Sequence, residues 1–220
     1  LDSVVDFIGL LNFYPNLALI GNIEARRDES IRIITSIFDK MHHFGIDKAL
    51  FSLHRNAENN FTVEQAAVSF ENSFSELADL AAARGIQVLV VPRPLMASTS
   101  LWQLKMPGVD TRAVAAMVRR LAKSNLKFCL DTSHLLMTEE SPSELVKEFG
   151  DEVAMVLVGA PLKDQYGQYY NAHRPVSGSP WEEQISQVLR MIADDMPGMP
   201  VCLNAQYADW DEVYRDIRLL

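Results

Sequence analysis

The 220-residue sequence has few cysteines, few basic residues and no long hydrophobic run, and each shortage excludes a class of protein. Its two cysteines, Cys129 and Cys202, lie in apolar segments, so neither a disulfide framework nor a cysteine zinc site is expected. Lys and Arg total 20 against 29 Asp and Glu, which argues against binding to nucleic acid or to an anionic membrane surface. Without a membrane-spanning run of roughly 18 residues or a signal peptide, a cytoplasmic protein is expected.

What the sequence does contain is the composition of a folded chain, with 48% hydrophobic and 22% charged residues. At roughly 150 residues per domain, this length predicts a single domain over residues 1–220. Short apolar runs alternate with longer segments of helical periodicity, which indicates repeated strand and helix units. The six predicted strands span residues 17–20, 49–53, 86–91, 126–130, 153–158 and 200–203.

Helical segments are predicted between these strands and at both ends of the chain. Thr62, with Gln65 three residues later, forms a capping-box pattern that predicts the start of the second of these helices. The predicted helices span residues 28–44, 62–84, 114–121, 145–149, 181–196 and 210–219, and the apolar segment at residues 4–11 is interpreted as a leading helix. Residues 159–180 are predicted to form a long functional loop, because they contain three tyrosines and His173.

Two architectures fit this order of elements. An open doubly wound sheet normally carries a glycine-rich first turn, and the sequence has neither a G-x-G-x-x-G nor a P-loop motif. An eight-stranded barrel needs about 250 residues, so six units would be a barrel that lacks its first two strands. The upstream part of such a barrel is expected to precede Leu1.

Polar residues cluster where the predicted strands end, which is where both architectures place reactive groups. His54 follows the second strand, Asp131 and His134 follow the fourth, and Asp164 and His173 follow the fifth. An Asp and a His three residues apart can point into one cleft and bind a divalent metal. The same residues can also cap a helix or lie in solvent, and the sequence leaves both interpretations open.

Four segments together resemble one known family. In chain order they read GIQVLV from Gly85, LDTSH from Leu130, PLKD from Pro161 with His173 and Gly178 beyond it, and VCLN from Val201. This succession resembles the xylose isomerase-like TIM barrel family, which holds sugar isomerases and epimerases and the endonuclease IV type. The resemblance implies an α/β fold, a (β/α)8 TIM barrel of the xylose-isomerase-like type, here without its first one or two strands.

The resemblance also implies metal-assisted proton transfer on a ketose or sugar acid, with ligands at successive strand ends. This sequence departs from the implied ligands at three places, where it has Val91, Pro161 and Asn204. One divalent metal, Mn, Mg, Co or Zn, is therefore predicted to bind weakly or not at all. Its predicted ligands are Asp131, His134 and His173. The predicted catalytic residues are His54, Asp131, His134 and Asp164, and the predicted substrate-binding residues are Arg93, Lys163, His173 and Tyr169.

Three functions compete at this stage. The first is a sugar isomerase or epimerase whose altered site has lost some or all of its activity. The second is a non-catalytic barrel that binds a small polyol or acid, or that serves as a structural module of a longer protein. An endonuclease IV-like phosphodiesterase comes third, because the acidic balance disfavours DNA. A small carbohydrate or sugar acid is the expected partner, and a homo-oligomer or an upstream segment is expected to cover open strand edges.

Overall fold

The structure, a computed structural model, describes residues 7–9, 19, 24–52, 62–92, 108–163, 167 and 169–220. Its strands are β1 (Phe7–Gly9), β2 (Lys48–Ser52), β3 (Gln87–Val91), β4 (Leu126–Asp131), β5 (Val153–Val158), β6 (Ala160–Lys163), β7 (Tyr169–Arg174) and β8 (Val201–Leu203). Six of them form a parallel sheet in the order β1-β2-β3-β4-β5-β8, and β6 and β7 form an antiparallel pair. This sheet is part of a TIM barrel, which confirms the predicted fold class.

Helices follow the strands on the outside of the sheet. They are α1 (Glu24–His43), α2 (Val63–Ala82), α3 (Thr111–Leu121), α4 (Thr132–Thr138), α5 (Pro142–Phe149), α6 (Glu182–Asp195) and α7 (Trp210–Ile217), with a 3-10 turn at Gly150–Glu152. The predicted capping box is present, since Thr62 Oγ1 accepts from Gln65 N at 3.2 Å and Thr62 N donates to Gln65 Oε1 at 2.9 Å. None of the described helices combines the length and the hydrophobicity of a membrane-spanning segment.

Strand β3 shows why the sheet is buried on both faces. Val88 and Val90 belong to the large core between the sheet and the helices, while Leu89 and Val91 face the opposite side. A strand covered on both faces has no polar alternation, as its continuous apolar sequence predicted. The second side is an inner apolar cluster formed by Leu50, Leu89, Val91, Cys129, Met155 and Leu157.

The start of the chain differs from the prediction. Phe7–Gly9, interpreted as part of a leading helix, is strand β1 and pairs in parallel with β2. The predicted strand at residues 17–20 falls outside the described residues except for Leu19, which lies in a bend. Three residues are too few to show a strand period, and β1 takes its conformation from pairing with β2 rather than from its own sequence.

Residues 159–180 also differ from the predicted loop. Strands β6 and β7 form an antiparallel hairpin in which Leu162 pairs with Tyr170 and Lys163 pairs with Tyr169. The tyrosines of this segment suggested a ligand-binding loop, but tyrosine also favours β-strands. The backbone here forms strands. A further element, α4, begins directly after β4 and has no counterpart in the prediction.

The buried carboxyl group of Asp216 holds the last helix in place. Asp216 is 1% exposed and accepts hydrogen bonds from Val176 N at 2.9 Å, Ser177 N at 2.7 Å and the Tyr207 hydroxyl at 2.9 Å. Burial, followed by the bond to Asp216, raises the pKa of Tyr207. One side chain therefore joins α7 to the segment after the hairpin and to the segment after β8.

Candidate functional site

The site lies at the carboxyl ends of β3, β4, β5 and β8, at the last inward-facing residue of the strand or the residue just after it. Alternation from the inner apolar cluster places Val91, Asp131, Gly159 and Asn204 at these positions. Of these residues, Asp131 alone has an ionisable side chain, and it lies at the carboxyl end of β4. In a barrel of this kind, reactive groups lie at this end of the strands.

Asp131 is a buried carboxylic acid that also starts a helix. It is 4% exposed, and its Oδ1 accepts from His134 N at 3.1 Å as the N-cap of α4. Burial raises its pKa, and the nearby His134 and His173 offset part of that rise. One carboxyl oxygen of Asp131 therefore caps the helix, which is one of the two interpretations of the sequence. The burial of Asp131 and its position beside two histidines are typical of a reactive site.

His134 is oriented by a backbone carbonyl. Its ring is 1% exposed, and its Nε2 is hydrogen-bonded to the carbonyl oxygen of Val109, which makes Nε2–H the donor. In the neutral ring Nδ1 is then an acceptor, and it has no hydrogen-bond partner within the described part of the chain. A hydroxyl group of a bound ligand is one chemical group that could satisfy this buried nitrogen.

His173 approaches the same end of the sheet from the hairpin. Its Nδ1 lies 3.3 Å from the carbonyl oxygen of Asn204, and its own carbonyl accepts from Gln206 N at 2.6 Å. Its φ of 47° lies in the left-handed region, which is uncommon for a residue with a side chain. Two contacts with the segment after β8 therefore hold His173 in this strained conformation. From there, His173 lowers the pKa of Asp131 and so offsets part of the rise that burial causes.

The backbone is tightly packed beside Asp131. Thr132 Oγ1 donates to the Gly159 carbonyl at 2.8 Å and accepts from Gly159 N at 3.1 Å. A Cβ at Gly159 would lie 2.7 Å from the carbonyl oxygen of Asn204 and 3.4 Å from Ser133 Oγ. No side chain fits at the inward position after β5 without displacing the backbone that follows β8.

The structure thus brings together three of the predicted site residues, Asp131, His134 and His173. Lys163 is exposed at the end of β6, opposite Tyr169, whose side chain lies outside the description. His54, Arg93 and Asp164 lie outside the described residues. Their predicted roles stay predictions.

Sequence reasoning missed two members of this site, Thr132 and Gly159. Thr132 lies inside the LDTSH segment, but its partner is 27 residues away and no local pattern indicates it. Gly159 directly follows an apolar strand, and nothing in the sequence around it indicates a close contact. In the structure it does not have a positive φ, so backbone conformation is not what requires a glycine there. The close approach of the Asn204 carbonyl, which only the fold reveals, is the reason for a glycine there.

The described residues around Asp131 do not form the ligand set of the divalent metal that the resemblance implies. Among the described residues, no group of three or more His, Cys, Asp or Glu side chains could hold a metal ion. The inward positions around Asp131 supply an aliphatic side chain at Val91, no side chain at Gly159 and a neutral amide at Asn204. Hard cations need several oxygen donors, and one carboxylate with the His134 and His173 rings beside it does not form such a set among the described residues.

Comparison with known families and structures gives one consistent result. A sequence profile described as xylose isomerase-like TIM barrel matches residues 5–213. No curated protein sequence matches the chain.

Three solved structures illustrate the likeness. The apo 3-keto-D-glucoside 4-epimerase of E. coli has a TM-score of 0.67 and 14% identity, over 91% of this chain and 74% of that chain. The IolI protein with a bound zinc atom has a TM-score of 0.70 and 11% identity, over 97% and 86%. D-allulose 3-epimerase from Methylomonas sp., in complex with D-allulose, has a TM-score of 0.67 and 13% identity, over 90% and 67%. At these identities the likeness establishes the fold.

Proposed function

Because this chain belongs to the xylose isomerase-like TIM barrel family, we propose that it binds a small carbohydrate or sugar acid at the carboxyl ends of its parallel strands. The observation that carries the proposal is the buried Asp131 with His134 and His173 beside it. A carboxylate and an imidazole acceptor are groups that accept hydrogen bonds from sugar hydroxyls. Solved structures of similar fold include epimerases of sugars and one complex with D-allulose, which supports this ligand class.

The proposed chemistry is binding without the metal-assisted proton transfer of an isomerase. That reaction needs a metal held by several ligands and a second acidic group to move the proton. The described inward positions offer Asp131 as the one carboxyl group, and Gly159 has no room for a ligand side chain. The predicted substrate-binding residues Arg93, Lys163 and Tyr169 lead us to expect a ligand that carries a carboxylate of its own. The alternative is an isomerase with an altered metal site.

Calorimetric titration of the purified chain tests the proposal. The ligand panel contains ketoses, including D-allulose and D-fructose, and matched sugar acids, each in the presence of EDTA and again with Mn, Mg, Co or Zn. We expect binding that EDTA does not change and no epimerised product after prolonged incubation. Stoichiometric metal in the purified protein, together with EDTA-sensitive epimerisation, would contradict the proposal and favour the isomerase.

Asp131→Asn is expected to weaken ligand binding by about 10- to 100-fold, the effect of losing a charge-assisted hydrogen bond.

The same change is expected to raise the melting temperature at neutral pH. Asn can still cap α4 through its side-chain oxygen, and the variant has no buried charge. Because burial raises the pKa of Asp131, folding is weakened as pH rises from the ordinary aspartate range through the raised value. The stability advantage of Asn should grow over that interval.

Asp209→Asn is the matched control. Asp209 caps α7 by accepting from Glu212 N at 2.9 Å, and it is exposed. This control should leave both ligand binding and the pH dependence of melting unchanged. An Asp131→Asn variant that melts at a lower temperature and binds ligand normally would assign Asp131 a capping role alone.

A further inference from the structure

The carboxylate of Glu140 links two helices beside the site. Glu140 lies just beyond the end of α4, and its side chain accepts hydrogen bonds from the first two backbone N–H groups of α3. Thr111 N lies 3.1 Å from its Oε2, and Arg112 N lies 3.0 Å from its Oε1. Burial raises the pKa of Glu140, but the bonds from Thr138 and from the start of α3 outweigh it, so the pKa lies below the ordinary glutamate value. A half-buried, ionised group therefore holds α3 against α4 at neutral pH.

This link differs from the ordinary cap of α3, which is Asp110. The Asp110 Oδ1 accepts from Ala113 N at 2.7 Å, three residues along the same segment. Glu140 is 28 residues from Arg112 and 29 from Thr111, so its bonds join α3 to a different element. Removing the Asp110 carboxylate loosens the first turn of α3, whereas removing that of Glu140 also releases this turn from α4.

The end of α4 is shaped so that Glu140 meets α3. Glu139 has a φ of 56°, and Glu140 N donates to the Leu135 carbonyl at 3.2 Å. The left-handed region is uncommon for a residue with a side chain, and such strain persists only where surrounding contacts hold it. The Glu140 carboxylate supplies contacts of this kind, because it anchors the turn to α3.

The same two elements meet a second time at His134. Val109 comes two residues before Thr111, and its carbonyl accepts the hydrogen bond of His134 Nε2. The Thr138 hydroxyl lies 2.7 Å from Glu140 Oε2 and 3.0 Å from the His134 carbonyl oxygen. Glu140 is thus connected to His134 by two routes, one through the backbone that carries Val109 and one through the Thr138 hydroxyl.

We propose that Glu140 is a positioning residue for His134. By holding the start of α3, its carboxylate keeps the Val109 carbonyl against His134 Nε2, which leaves Nδ1 of the neutral ring to accept a hydrogen bond. A fixed carbonyl partner selects one ring orientation and one tautomer. That Nδ1 then accepts from a hydroxyl of the ligand rests on the proposed function, whereas the hold on the ring does not.

Proton NMR of the His134 ring tests the proposal without any ligand. A ring N–H that is buried and hydrogen-bonded gives a resolved downfield signal, which His134→Gln assigns by removing it. We expect this signal in the wild-type chain, and its loss or a marked upfield shift in Glu140→Ala. Asp110→Ala is the matched control, since it removes the local cap of α3 and should destabilise that helix while keeping the signal. A signal that is absent from the wild type, retained by Glu140→Ala or lost alike in both variants overturns the proposal.

Two milder variants decide the question if Glu140→Ala does not fold. Glu140→Gln retains one of the two acceptor oxygens, and Thr138→Val removes the hydroxyl while keeping a side chain of similar shape. Each should shift the His134 signal upfield in a folded chain, as checked by circular dichroism. If neither variant moves the signal, the proposal is wrong.

Calorimetric titration with D-allulose measures the consequence for binding. Losing one neutral hydrogen bond weakens binding by about 3- to 10-fold, and we expect that loss in Glu140→Gln and not in Asp110→Ala. Equal affinities in the wild type and Glu140→Gln would overturn the role of Glu140 in binding. If the wild-type chain binds no member of the ligand panel, the proposed function fails, and the ring signal still decides whether Glu140 positions His134.

Discussion

Gly159→Ala is expected to lower the free energy of unfolding by about 1–3 kcal/mol, the usual range for adding a group where there is no room for it. The added Cβ would meet the Asn204 carbonyl at 2.7 Å, and this neighbour is backbone, which cannot rotate away. Displacing Asn204 also disturbs the oxygen that faces His173 Nδ1. Ligand binding should therefore fall together with stability. Urea unfolding followed by circular dichroism gives the first quantity, and calorimetric titration gives the second.

Gly150→Ala serves as the control for that change. The nearest atom to a Cβ at Gly150 is the Met196 methyl carbon at 4.0 Å, and the residue has helical backbone angles. This substitution should be neutral or should stabilise the fold by up to about 1 kcal/mol, because it reduces the freedom of the unfolded chain. Equal effects at the two glycines would mean that the close contact at Gly159 does not decide stability.

Asp216→Ala is expected to lower the free energy of unfolding by about 2–4 kcal/mol, since it leaves two backbone N–H groups and one hydroxyl without their acceptor. The bonds to Val176 and Ser177 hold the segment that follows the hairpin, so hydrogen exchange should increase there as well as in α7. Chemical denaturation measures the energetic loss, and exchange followed by mass spectrometry locates it.

Two further variants separate the three bonds of Asp216. Tyr207→Phe removes the hydroxyl donor and should lower the free energy of unfolding by only about 0.5–1.5 kcal/mol. Asp216→Asn keeps one acceptor oxygen and should fall between the other two variants. If Asp216→Ala were no more harmful than Tyr207→Phe, the two backbone bonds would contribute nothing measurable.

The elements that sequence predicted well are those whose pattern is long or whose signal is local. The uninterrupted apolar run of β3 reports burial on both faces, and the capping box at Thr62 involves two residues on one turn. Strand β1 has three residues and is defined by its pairing with β2, which no local pattern shows. The hairpin β6–β7 was missed for a related reason, because tyrosines favour strands and ligand-binding loops alike.

The residues of the site also differ in how well the sequence predicted them. Asp131 and His134 were predicted from their spacing at a strand end, and the structure places them with His173. The Val109 carbonyl that orients His134 is 25 residues away in sequence, and the Asn204 carbonyl that faces Gly159 comes from the segment after β8. Contacts of this kind depend on how strands align in the barrel, so single-residue patterns could not reveal them. The sequence therefore indicated which side chains form the site, but it did not indicate which backbone contacts hold them in place.

The left-handed backbone of His173 bears on how this position can evolve. Glycine or asparagine holds a φ of 47° with less strain than histidine does, so either replacement would ease the backbone. A lineage under selection for folding alone would therefore drift toward these residues at position 173. Retaining histidine opposes that drift, at a strain of about 1 kcal/mol or more. The identity of this one residue among descendants of the chain would thus record whether its imidazole is still in use.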